Sequence, residues 1–381
     1  PHAVVLEPIL DGLTVPHALR VGPDGWIYLG EDVRIRAFPP DAVGASGELD
    51  ANRIERVVGD LPPREVNGEI NSQHPIRQFV FDAEGNLFVN VGAFTDHCAR
   101  WAGRACHEAD ARGHGASADP RDWGGVLRRY DRIEGHGFDA HFEVVAMGLR
   151  NSLGLVFASN GDLLQAEAGR DFAEADRPHD EINVVPRAEL YGQAPAKHYG
   201  WPYCYDAYET SEEWRGYAGF PCSPDNADYR PPDLLLPPHG APLGLAYYDG
   251  DRFPDFEGRL LVALHGFRPT GQRILALEVD GNGHPLRAGS ASDLENPSEG
   301  APSRERPDPV DGRASFAGRA RPLVSAWFAV DRVRPRGAPV EPYVASDGAI
   351  WIADDANGAL LRFDVGDDAA AARESARRRG G

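Results

Sequence analysis

One hydrophobic phrase recurs along this chain. An alternating apolar run meets an acidic-Gly or Asn-Gly turn, and a second apolar run follows. It reads HALRVGPDGWIYLGE at His17–Glu31 and IRQFVFDAEGNLFVNVG at Ile76–Gly92, then LGLVFASNGDLLQAEAG at Leu153–Gly169 and VEPYVASDGAIWIADD at Val340–Asp355. Period-two runs flanking such a pair are the strongest short-range signal for a β-hairpin, because the tight turn needs a residue free to take positive φ. Recurrence of the hairpin predicts a repeat architecture in which each unit is a small sheet. The turn glycines fall at Gly25, Gly85, Gly161 and Gly348, and the long last interval leaves room for two more units, one of them around Tyr247–His265. Units of this size, each of four short strands, predict an all-β, six-bladed β-propeller.

Composition narrows the class. With 42% hydrophobic residues the chain can bury a core, and 43 glycines and 32 prolines suit turn-rich β structure. The propeller is expected over 1–365 as a single domain, with long loops at 93–124, 170–240 and 286–322 and a linker-like tail at 366–381. No apolar stretch reaches spanning length, so no transmembrane segment is expected. A formal charge of −20 repels phosphate backbones and argues against nucleic acid as a partner. Lys197 is the single lysine, so a Schiff-base mechanism has one candidate. The four cysteines form two close pairs, Cys98–Cys106 and Cys204–Cys222. They read as loop disulfides of an oxidising compartment, with free thiols or metal ligation as alternatives. The opening PHAVVLEPIL reads as a mature N-terminus left by processing or trimming, which fits a periplasmic or secreted location.

Four phrases hold polar groups that hairpins do not need. His74, in NSQHPIRQFVF, stands at a strand entrance where an imidazole can act as general base; the plainer reading is a surface-loop histidine. Arg150 and Asn151, in GLRNSLGL, offer a guanidinium and an amide to carbonyl or anionic oxygens, unless they merely shape a blade-edge turn. The acidic phrases AEAGRDF and HDEINVV suit Ca²⁺, which takes carboxylate and backbone carbonyl oxygens, and equally suit a solvated acidic loop. Arg334 and Arg336, in RVRPRGAPVEPYV, alternate ahead of a strand, so both can point to one polyanionic ligand or to solvent.

In order, PHALRVGPDGWIYLGE, QHPIRQFVFDAEGNLFVNVGA, GLRNSLGLVF, HDEINVV, HYGWPYCY, HGAPLGLAYYDGDRFP, LVALHGF and RPRGAPVEPYVASDGAIWIADD resemble the soluble quinoprotein sugar dehydrogenases, the glucose/aldose and sorbosone dehydrogenase-like group. The resemblance covers most of the chain. It implies a six-bladed propeller carrying pyrroloquinoline quinone (PQQ) and Ca²⁺, which oxidises a sugar by hydride transfer to the quinone. It implies His74 as the catalytic base, acting beside Arg150. Arg150 and Asn151 would contact quinone oxygens, and the backbone carbonyls of Gly169 and Arg170 would help hold the calcium. Arg334 and Arg336 would bind the cofactor's carboxylates, with His265 and Arg268 nearby. The cysteine loop after VGAF and the cysteine of GWPYC resemble disulfide-bonded positions of the sorbosone dehydrogenase-like members. The implied partners are a sugar and an electron acceptor such as a cytochrome c.

Three departures stand out. The lysine that relatives of the soluble glucose type place against the quinone is absent, with Arg268 as the nearest substitute. EHGP appears as Glu167-Ala-Gly-Arg170, and HGSWNR as HGFRPT. Two other readings follow from the same residues: a propeller without cofactor that serves as a binding or scaffold module, and a Ca²⁺-dependent propeller lactonase.

Overall fold

The structure, a computed structural model, describes residues 8–97, 119–286, 320–324 and 337–364, apart from positions 46, 120, 122, 136 and 269. The expected tail at 366–381, most of the loops at 93–124 and 286–322, and Cys98, Cys106, Arg334 and Arg336 lie outside the described residues. The chain divides into two compact units, one of residues 1–171 and 182–232, the other of 172–181 and 233–381.

The first unit holds three of the hairpin sheets. One runs through Ala18–Val21, Ile27–Glu31, Arg34–Phe38 and Glu55–Val58 in sequence order. The next runs through Phe79–Phe81, Leu87–Val91, Val126–Arg132 and Phe138–Met147, with Lys197–His198 added in parallel at its edge. The third passes through Ser152–Phe157, Leu163–Glu167 and Asp180–Val185. In the second unit, one sheet comprises Pro242–Tyr247, Leu260–Leu264, Arg273–Leu277 and Ala320–Val324. The other comprises Pro339–Val344, Ile350–Asp354 and Ala359–Phe363. Four of these sheets open with the hairpins read from the sequence, and the fifth opens with the strand pair of the unit placed around Tyr247–His265. Gly25, Gly85, Gly161 and Gly348 all take positive φ, from +78° to +89°, as the turns require. The fold is an all-β propeller in which five blades are defined among the described residues, against the six expected.

Hydrophobic alternation explains the packing. In Leu87–Val91 every residue is buried, and the two faces serve different cores. Leu87, Val89 and Val91 join Tyr28, Ile35 and Phe79, while Phe88 joins Leu127, Leu155 and Leu163. A blade strand between two neighbouring blades therefore reads as a continuous apolar run. Each such side chain contributes about 1.5–3 kcal/mol on burial. In the second unit Tyr248, Leu261 and Ile274 pack with Ile350 and Ile352. The longest helix among the described residues is the four-residue turn Arg187–Leu190. No described helix is long and apolar enough to cross a membrane.

Candidate active site

In the first unit, the hairpin ends opposite the glycine turns bring together His74, Arg150, Asn151 and the segment Ala168–Asp171. His74 is buried, and its Nδ1 lies 2.6 Å from the Ala93 carbonyl. A carbonyl can only accept, so Nδ1 carries the ring proton and Nε2 keeps its lone pair. The backbone fixes the residue as firmly as the ring. Arg77, fully buried, donates from Nη1 to the His74 carbonyl (2.6 Å) and from Nη2 to the Pro62 carbonyl (2.8 Å). A Cβ added to Gly92 would stand 2.6 Å from both the Cβ and the carbonyl oxygen of His74. Only glycine permits that approach.

Burial, reinforced by the Arg150 charge, drives the His74 pKa down to about 3, against the opposing pull of the Ala93 hydrogen bond and of Asp96. The imidazole is therefore neutral and proton-accepting across the ordinary pH range. Burial also lowers Arg77, to about 10, although it stays charged near neutrality.

Arg150 is held from several sides. Nε donates to Asp96 Oδ1 (2.9 Å) and Nη2 lies 2.7 Å from the same oxygen. Nη2 also reaches Asp171 Oδ2 (3.1 Å), and Nη1 donates to the Ala168 carbonyl (3.0 Å). Burial pushes the Asp96 carboxyl up, but Arg150, the Asp171 N–H and Arg170 outweigh it and leave it below its ordinary value. The Asp171 carboxylate is 83% exposed, so one of Arg150's contacts faces solvent. Asn151 presents a buried Oδ1 with no hydrogen-bond partner in the protein. Arg170 forms a bidentate pair with Glu213, both contacts at 2.8 Å. Glu213 comes from the loop closed by the disulfide Cys204–Cys222, which bears out that cysteine pairing.

In the acidic phrase around Glu167, the carboxylate is taken up by hydrogen-bond donors. Glu167 Oε1 accepts the backbone N–H groups of Arg150 (2.7 Å) and Asn151. Its Oε2 accepts from the Ser152 hydroxyl and from Gln165 Nε2 (2.8 Å). Both oxygens are filled by hydrogen-bond donors, so this carboxylate is not a metal ligand. Burial pushes its pKa up, and those donors together with Arg150 counter only part of the rise. Among the described residues no group of three His, Cys, Asp or Glu side chains is placed to hold a metal.

In the second unit, His265 Nε2 lies 3.2 Å from Asp355 Oδ2. Arg268 donates to the carbonyls of Glu174 and Phe172, both at 2.9 Å, so its guanidinium braces that segment. Lys197 Nζ donates to the Ala227 carbonyl (2.7 Å). Sequence reasoning did not single out Arg77, Ala93 or Asp96. Arg77 and Asp96 lie in or beside phrases it quoted, but their partners lie far away in the chain or are backbone atoms. Such partners have no motif.

The sequence matches the family model described as Glucose / Sorbosone dehydrogenase over residues 63–293. An uncharacterized protein of Borreliella burgdorferi is 31% identical over 144 residues, covering 36% of this chain and 35% of that protein's length. Among solved structures, a calcium structure of a Trichoderma reesei Carbohydrate-Active Enzymes Family AA12 protein has a TM-score of 0.64 at 16% identity, covering 93% of this chain and 82% of that one. The holo form of the pyranose dehydrogenase PQQ domain from Coprinopsis cinerea has a TM-score of 0.54 at 17% identity, with 94% of each chain covered. At these identities the likeness is one of fold.

Proposed function

Because the chain belongs to the glucose / sorbosone dehydrogenase family, we propose that it is a quinoprotein dehydrogenase that oxidises a sugar hydroxyl or hemiacetal, with His74 as the general base. The observation that carries this reading is the tautomer of His74. With Nδ1 spent on Ala93, a buried neutral Nε2 is left to accept a proton beside a fixed arginine. A substrate hydroxyl placed at Nε2 gives up its proton there as the C–H hydride leaves. Bound PQQ would supply the hydride acceptor, and Ca²⁺ the positive charge that polarises it.

The residues present fit such a group. Asn151 Oδ1, buried and without a donor from the protein, is an acceptor that an N–H or O–H of a bound group would satisfy. An Arg150 guanidinium held by Asp96 is oriented without being fully spent, since four N–H···O contacts leave one of its five N–H groups. The Arg150 guanidinium and the Asn151 side-chain N–H would donate to the quinone oxygens, and the Gly169 and Arg170 carbonyls would face the calcium. The family resemblance also assigns His265, Arg268, Arg334 and Arg336 to cofactor binding. A full count of six blades belongs to the same reading, as does a cytochrome-type electron acceptor. The Cys204–Cys222 disulfide supports a periplasmic or secreted location.

Reconstitution tests the proposal. Purified protein titrated with PQQ and Ca²⁺ should develop the bound-quinone absorbance and then reduce a dye with one or more aldoses. Absence of quinone uptake at saturation would overturn it. Lactone hydrolysis with Ca²⁺ alone would point to the lactonase instead.

A further inference from the structure

We propose that Glu167 is a positioning residue that sets the Arg150–Asn151 peptide and, through Ala93, the His74 ring. This rests on the quinoprotein reading for its catalytic consequence, although its geometry stands without it.

Strand Leu163–Glu167 pairs antiparallel with Ser152–Phe157, and Glu167 lies opposite Ser152 at the end of that ladder, beside a register shift between Ser152 and Gly154. Arg150 and Asn151 fall just beyond the ladder, where it cannot take their N–H groups. Buried N–H groups need an acceptor. Both are met by one side-chain atom, Glu167 Oε1. The same two residues then bind in the other direction. The Arg150 carbonyl accepts from Ala93 N (2.8 Å), and the Asn151 carbonyl accepts from Ala168 N (3.1 Å). Ala93 in turn holds His74 Nδ1 through its own carbonyl. A continuous set of contacts thus runs from the Glu167 carboxyl through the Arg150–Asn151 peptide and Ala93 to the base. Glu167 itself acts only through this set.

The other carboxyl oxygen is tied into a separate network. Oε2 meets Ser152 and Gln165, and Gln165 Oε1 accepts from Asn183 Nδ2 (3.1 Å). The Oε2 half can therefore be cut alone. Ser152→Ala weakens only the Oε2 side, Glu167→Met removes both oxygens and with them the acceptor for both peptide N–H groups, and Glu167→Gln keeps a carbonyl able to take both N–H groups.

Two readouts test the role: amide hydrogen exchange at Ala93, Arg150 and Asn151 in the cofactor-free protein, and PQQ affinity in the presence of Ca²⁺. Glu167→Met should speed exchange at these amides and weaken PQQ by about tenfold or more each, the effect of losing one to two buried hydrogen bonds. Glu167→Gln should stay within about threefold of wild type in both. Ser152→Ala should lower the melting temperature while leaving both readouts in place. If Ser152→Ala reproduces the Glu167→Met pattern, or if Glu167→Met leaves Arg150 and Asn151 exchange unchanged, the positioning role is overturned. Failure of the wild type itself to take up PQQ would overturn the quinoprotein reading and leave the exchange comparison to judge Glu167.

Discussion

The two ends of the first unit's hairpins use polar residues differently. At the turn ends each side chain caps an N–H a few residues away, although Asp24 also accepts from Arg132 and Asp82 from Tyr191. Asp24 accepts from the Trp26 N–H, Asp82 from the Asn86 N–H, and Asn160 from the Asp162 N–H. At the strand entrances the bonds join distant parts of the chain. His74 meets Ala93 19 residues away, Arg150 N meets Glu167 17 away, and the Arg150 side chain meets Asp96 54 away. The turn ends therefore close their own turn and tie it to a neighbouring strand, while the entrances gather groups from several blades around one buried histidine. Buried charge raises the cost of any misplaced partner, which is why chemistry and rigidity coincide there.

That contrast is broken most severely at His74. His74→Ala should lower kcat by about 10²–10⁴-fold, the usual contribution of a general base, while PQQ affinity stays close to wild type. Stopped-flow dye reduction and a quinone titration separate the two effects; a loss of affinity equal to the loss of turnover would make His74 a cofactor ligand instead.

Glycine to alanine can be made at both ends. Gly92→Ala forces a Cβ to 2.6 Å from the His74 Cβ and carbonyl oxygen. A displacement of about 1 Å at the base should cost up to about 100-fold in kcat. Gly25→Ala, by contrast, meets nothing within 4 Å and suffers only from φ of +78°. It should cost about 1–2 kcal/mol of stability and leave kcat alone. Equal catalytic losses from both substitutions would dissolve the distinction between the two ends. The loop that carries Glu213 offers a larger change in stability than Gly25→Ala. Replacing Cys204 and Cys222 with serine opens a closure of 18 residues and should remove about 3 kcal/mol of stability, read by denaturant unfolding.

Legibility from the sequence follows the same division. Hairpins were visible because an acidic residue or Asn and a Gly lie within a few residues of each other, and all four reappear as the first strand pair of a blade. His74, Arg150 and Asn151 were visible as polar groups with no role in a hairpin, and the structure brings them together. Glu167 was visible too, yet its acidic neighbourhood suggested calcium. Its true partners are backbone N–H groups of residues 150 and 151, and main-chain donors look alike in every sequence. Arg77 and Asp96 were overlooked for the same reason, since one holds carbonyls and the other an arginine 54 residues away.

The pH dependence of kcat/KM in the PQQ-loaded enzyme tests the account most directly, because it reports the base before substrate is bound. His74 must be unprotonated to act, and burial together with Arg150 lowers its pKa to about 3. Activity limited by this group should therefore persist as pH falls through 6.5 and decline only on approach to about 3. An acid limb with its midpoint near 6.5, absent in His74→Ala, would show an ordinary exposed histidine and contradict the buried, neutral base described above.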